Sequence, residues 1–128
     1  MIFITPDSEL FDYKTVKRLF DDNKNNLKAK YSFDFIIKNS HFFSVYEKTK
    51  LIGCIYLFKE ENKLFITAFA GRKTHLENIK ALNIIINQFY NCDIYAETEH
   101  KTAIYCILKA GFKKVNNNLY IKEKVHNA

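Results

Sequence analysis

Apolar residues along this chain alternate between short runs and helical stripes. Met1 to Ile4 is an apolar run halted by Thr5-Pro6-Asp7, and it reads as a first strand. Asp7-Ser8 has the chemistry of a helix N-cap. Leu10, Phe11, Val16, Leu19 and Phe20 then recur at helical spacing, which predicts a helix from Ser8 to Phe20. Asp21 to Asn26 is polar throughout and is expected to break that helix. A shorter helix anchored by Tyr31, Phe33, Phe35 and Ile36 is expected between Leu27 and Ile37. Phe42 to Tyr46 alternates as a strand, Lys48-Thr49-Lys50 turns, and Leu51 to Phe58 is a nearly continuous apolar strand. After a second turn at Glu60-Glu61-Asn62, Leu64 to Ala70 forms another strand that ends at Gly71.

Thr74 is placed to cap a long helix to Tyr90, with Leu76, Ile79, Leu82, Ile86 and Phe89 on one face. Asp93 to Glu97 is a strand. Ala103, Ile104, Ile107 and Leu108 form the apolar stripe of a last helix. Gly111 stands where a left-handed residue closes that helix, and Phe112 follows to fold back on its last turn. Lys113 to Val115 and Leu119 to Ile121 flank a hairpin turn at Asn116-Asn117-Asn118. Strands and helices in this order predict an α+β fold, a mixed sheet with helices on both faces. Leu64 to Ala70 and Asp93 to Glu97 should be parallel neighbours joined by the long helix. Leu82, Ile86, Ile104 and Leu108 should be buried, because they share faces that must cover a sheet.

The 128 residues suit one domain, 1–128. Apolar residues at 48% and aromatics at 16% place the chain with folded proteins. No apolar run is long enough to span a bilayer, and the opening lacks the pattern of a signal peptide. Cys54, Cys92 and Cys106 show no C-x-x-C spacing, so free thiols in a reducing cytoplasm are expected, and no metal site. The net charge of +6 comes from scattered lysines beside abundant Asn, Ile, Phe and Tyr, the usage of a low-GC genome. No basic helix or paired strand aromatics accompany that charge, so nucleic acid is not an expected partner.

The stretch Glu97 to Phe112 carries a more specific signal. The spacing from Ala103 to Gly111-Phe112 resembles the end of the fourth helix in the GNAT (Gcn5-related N-acetyltransferase) superfamily, and the order of elements matches that family over almost the whole chain. The resemblance implies a centrally splayed sheet, with acetyl-CoA or another acyl-CoA lying against the exposed backbone of the strand before the long helix. On this chain that backbone is Phe69, Ala70 and Gly71. The family holds the diphosphate at the start of the long helix in a loop of pattern Q/R-x-x-G-x-G/A, where orphan amides and the positive helix end attract anions. Arg72 takes the first position of that pattern, and Lys73, Thr74 and His75 complete the implied cofactor loop. The two glycine positions fall on His75 and Glu77, so side chains would have to replace a glycine cradle.

The family's thiolate-protonating Tyr, four residues before the helix-ending glycine, is Ile107 here. Tyr105 is nearby in sequence but about 200° away around a helix. His100, at the start of the last helix, and Glu97, at the end of the strand, are the candidate bases, with Glu99 beside them. The implied catalytic set is therefore His100, Glu97 and Tyr105. The chain is also similar to the small internal virion proteins of short-tailed coliphages, a GNAT-like group without the glycine loop and with an aliphatic residue at the Tyr position.

Two functions follow. One is an N-acyltransferase using acyl-CoA and an amine-bearing small molecule or protein. The other is a catalytically inert GNAT-fold phage protein with a protein partner, in the host cytoplasm or the virion.

Overall fold

The computed structural model describes residues 1–71 and 75–125, with Asn26, His75 and Leu76 as backbone only. Its strands are β1 (Ile2–Ile4), β2 (His41–Glu47), β3 (Lys50–Glu60), β4 (Lys63–Ala70), β5 (Ile94–Glu97), β6 (Lys113–Asn116) and β7 (Leu119–Lys122). The helices are α1 (Tyr13–Leu27), α2 (Phe33–Asn39), α3 (His75–Gln88) and α4 (Lys101–Lys109). The strands form one mixed seven-stranded sheet in the order β1-β2-β3-β4-β5-β7-β6. The fold is α+β. Contacts group the chain into two units: Met1–Phe58 with the second half of β4, and Lys59–Ile66 with α3 and all that follows.

The first unit is built on aromatic packing. β1 pairs antiparallel with β2, and β2 with β3. Helix α1 starts later and runs further than its sequence pattern predicts. Asp12, not Asp7 or Ser8, is the N-cap, accepting from the Thr15 amide at 3.2 Å and the Thr15 hydroxyl at 2.8 Å. Ser8 instead belongs to a turn, with its amide donating to the Thr5 carbonyl at 3.0 Å. The polar stretch 21–26 stays helical because the outer face needs no apolar residues. Lys17 and Asp21 pair one turn apart at 2.8 Å, and the Asn23 side chain donates to the Leu19 carbonyl at 2.9 Å. Lys28 ends the helix in the left-handed conformation, φ 50°. Ser32 caps α2 by accepting from the Phe35 amide at 3.1 Å, which delays that helix past Leu27. Val16, Phe20, Phe33 and Ile36 bury against Phe42, Cys54, Tyr56 and Phe69. Phe42 stacks on Tyr56 at 5.7 Å and 12°, and Phe20 meets Phe69 edge-on at 5.7 Å and 77°. Each such pair adds about 0.5–1.5 kcal/mol beyond its burial.

The second unit packs α3 against α4. Ala81, Leu82, Ile85 and Ile86 are buried on α3, with Ile94 and Ala96 on β5. As predicted, β4 and β5 are parallel neighbours with α3 between them in sequence, in the register Leu64↔Ile94 and Phe65↔Tyr95. β5 pairs along its whole length with β7, from Ile94↔Lys122 to Glu97↔Leu119. The hairpin strand β6 closes the sheet as an edge, all four of its residues exposed.

Helix α4 corrects one expectation. Leu108 is 49% exposed and Ile104 is half-buried, while Cys106, Ile107 and Ala110 are buried. The buried face runs through 103, 106, 107 and 110, so Cys106 serves as an apolar residue and Leu108 does not. The helix ends as expected. The Gly111 amide donates to the Leu108 carbonyl at 3.1 Å and the Phe112 amide to Ile107 at 3.0 Å, with Gly111 at φ 98° and Phe112 buried. This is a Schellman closure, in which glycine relieves the strain a Cβ would meet.

Candidate active site

Strand β4 is held on one side by β3. A Cβ at Gly53 would lie 2.9 Å from the Phe69 carbonyl oxygen and 3.3 Å from the Ala70 Cβ, so β3 approaches β4 more closely there than any side chain allows. That contact directs the Phe69 carbonyl toward β3. Backbone groups alternate along a strand, so the N–H and C=O of Ala68 and Ala70 point to the other side of β4. The β4–β5 ladder ends at Phe65↔Tyr95, and these groups lie beyond its end.

Of the expected cofactor residues, Phe69 contributes backbone alone, because its ring is packed among Phe20, Phe42 and Tyr56. Ala70 ends the strand, and Gly71 follows it, exposed. Arg72, Lys73 and Thr74 lie outside the described residues. His75 opens α3 and is described by its backbone only. Exposed Ala68 was not among the sequence candidates. Its signal was the strand alternation, which fixes the side of β4 to which each amide points.

Strand β5 and helix α4 bring two of the three catalytic candidates to one end of the second unit. Glu97 is the last residue of β5 and is exposed. The chain then turns: the Thr98 amide donates to the Asn118 carbonyl at 3.0 Å, and the Thr98 hydroxyl accepts from the His100 amide at 3.1 Å. His100 is the N-cap of α4. Its carbonyl accepts from the Ile104 amide at 2.9 Å, and its side chain takes no part in capping. The imidazole is thus carried at the start of α4. Tyr105 lies further along α4. It is 44% exposed, with the Lys109 ammonium 5.7 Å from its ring centroid. Ile107, where the family resemblance looks for a proton donor, is buried.

A parallel strand pair joined by a helix within a mixed seven-stranded sheet is the arrangement of an acyl-CoA N-acyltransferase fold. The chain has the fold of the GNAT acetyltransferases. An N-acetyltransferase from Staphylococcus aureus Mu50 superposes with a TM-score of 0.64 at 20% identity, over 94% of this chain and 90% of that one. An aminoglycoside 6'-acetyltransferase type Ii gives 0.63 at 13% identity, over 100% of both chains. The PaiA N-acetyltransferase of Thermoplasma acidophilum, in complex with coenzyme A, gives 0.61 at 18% identity, over 98% of this chain and 100% of that one. At these identities the likeness is one of fold. No family model matches the sequence, and no curated protein matches it. Among the described residues, no helix is long and apolar enough to cross a membrane.

Proposed function

We propose that this chain, working as one domain in the cytoplasm, transfers an acetyl or other acyl group from acyl-CoA to an amine. The observation that carries this reading is the early end of the β4–β5 ladder at Phe65↔Tyr95, which leaves the Ala68 and Ala70 amides without partners in that ladder. A bound thioester would place its carbonyl against such an amide, which strengthens its hydrogen bond as the oxygen becomes anionic. The amine attacks the carbonyl carbon, the tetrahedral intermediate collapses, and the C–S bond breaks with its electron pair on sulfur. The ammonium proton leaves to a base, the role that the family resemblance gives to Glu97 or His100. The CoA thiolate is released and takes a proton from solvent. Tyr105 has no role in this scheme. Gly71, Arg72, Lys73, Thr74 and His75 would hold the diphosphate, chiefly through charged and hydroxyl side chains, so binding should weaken with salt. Small N-acetyltransferases of the same fold that match nine-tenths or more of this chain support the reading.

Buried Ile107 at the proton-donor position favours the alternative, an inert GNAT-fold phage protein that binds a protein partner. Calorimetry with acetyl-CoA at millimolar ligand separates the two. Binding that Arg72→Ala with Lys73→Ala abolishes supports the transferase. Absence of heat together with absence of competition by CoA overturns it.

A further inference from the structure

Tyr56 lies on β3, 7% exposed, stacked on Phe42 and edge-on to Phe69 at 6.5 Å. A phenol oxygen in such surroundings needs a hydrogen-bonding partner. Its partner is the Thr67 side chain on β4, and burial pushes the phenol pKa up while this bond pulls it back down. The two face each other because β3 and β4 are joined by the tight turn Glu61-Asn62, both residues at positive φ, and Tyr56 and Thr67 are equidistant from it. Phe69 shares their face. The aromatic cluster therefore fixes the Thr67 hydroxyl through Tyr56 rather than leaving it to rotate. Whichever of the two donates, Thr67 Oγ1 keeps a free lone pair. Thr67 is half-buried, so that lone pair is within reach of a ligand.

We infer that Thr67 Oγ1, oriented by Tyr56, is the hydrogen-bond acceptor that seats the N–H of the acceptor amine. The inference rests on the transferase reading. Thr67 directly precedes Ala68, whose amide is one of those proposed to hold the thioester carbonyl. Thr67 and Ala68 are successive residues, about 3.3 Å apart along the strand, so an amine seated on the one lies beside a thioester carbonyl held by the other. An amine held by its N–H on Thr67 keeps its own lone pair directed at the carbonyl carbon. Tyr56 acts through Thr67 and is a positioning residue.

The test follows acetyl transfer from acetyl-CoA to n-butylamine by thiol release, with acetyl-CoA affinity measured separately by calorimetry. Thr67→Val, which keeps the shape and removes the hydroxyl, should raise KM for n-butylamine about tenfold, the loss of one hydrogen bond of about 1.4 kcal/mol. Thr67→Ser should restore KM to within about threefold of wild type. Tyr56→Phe should raise KM by a smaller factor. All three should bind acetyl-CoA as wild type does. An unchanged KM in Thr67→Val, or equal impairment of Thr67→Ser and Thr67→Val, overturns the assignment while leaving the transferase reading intact. Wild type that binds acetyl-CoA but passes nothing to n-butylamine also overturns it. Wild type that binds no acetyl-CoA overturns both.

Discussion

Gly53→Ala tests the close approach of β3 to β4. The added Cβ would meet the Phe69 carbonyl oxygen at 2.9 Å and the Ala70 Cβ at 3.3 Å. The first of these is a backbone atom and cannot rotate away, so the strands must part by several tenths of an ångström. Overpacking of this kind costs about 1–3 kcal/mol. Replacing a strand glycine by alanine returns roughly 0.5–1 kcal/mol of backbone entropy, leaving a net loss of about 1–2 kcal/mol. With an unfolding entropy of about 2.1 cal/mol/K per residue, the melting temperature should fall by about 4–7 °C. Gly71→Ala is the control. Its Cβ would lie 3.6 Å from the Leu19 Cδ1, an ordinary contact, and its φ is not positive, so stability should stay within about 0.5 kcal/mol of wild type. Circular dichroism melts of both variants decide the matter. A Gly53→Ala melt coincident with wild type, or a larger loss in Gly71→Ala, would refute the reasoning.

Two further outcomes are expected. Ile86→Ala, at a buried position of α3, should cost about 2–5 kcal/mol in urea unfolding, and a midpoint within error of wild type would reject its placement in the core. The Thr15 hydroxyl and amide hold the Asp12 carboxyl below its usual pKa, so its capping stabilises the fold above the unfolded-state value and is lost as pH falls through the lower folded one. Asp12→Asn should therefore keep the α1 cap yet show less loss of stability on acidification from about pH 6 to about pH 2, and a pH profile parallel to wild type would count against this.

The parallel pairing of β4 with β5 and the end of α4 were legible because each rests on a local cause, the strand–helix–strand pattern in the one case and Gly111 in the other. Helix α1 was read five residues early because Asp12 and Asp7 have the same capping chemistry, and only the fold decides which one has Thr15 in reach. Leu10, counted as a helix anchor, is 74% exposed in the turn before that cap. Leu108 looked like core because hydropathy ranks Leu above Cys, yet the packing of α3 against α4 selects the face of Cys106. At the candidate site, the turn from Glu97 to His100 was visible as a strand end followed by a helix start. Thr67 and Ala68 were not, because neither residue type is unusual in a strand. Their position past the end of a ladder, and the phenol behind Thr67, are properties of three-dimensional pairing alone.

The sheet's outer strand β6 has one more consequence. Its four residues, Lys113-Lys114-Val115-Asn116, are exposed, and its pairing with β7 is irregular between Lys114 and Asn116. An exposed strand edge invites a second chain to add to it. Lys113 already pairs with Glu123, the exposed Lys114 keeps a charge along the edge that a second chain would approach, and the irregular register would leave some amides out of line. The edge is thus a short, charged and irregular strand, a poor template for a second chain to extend into a ribbon.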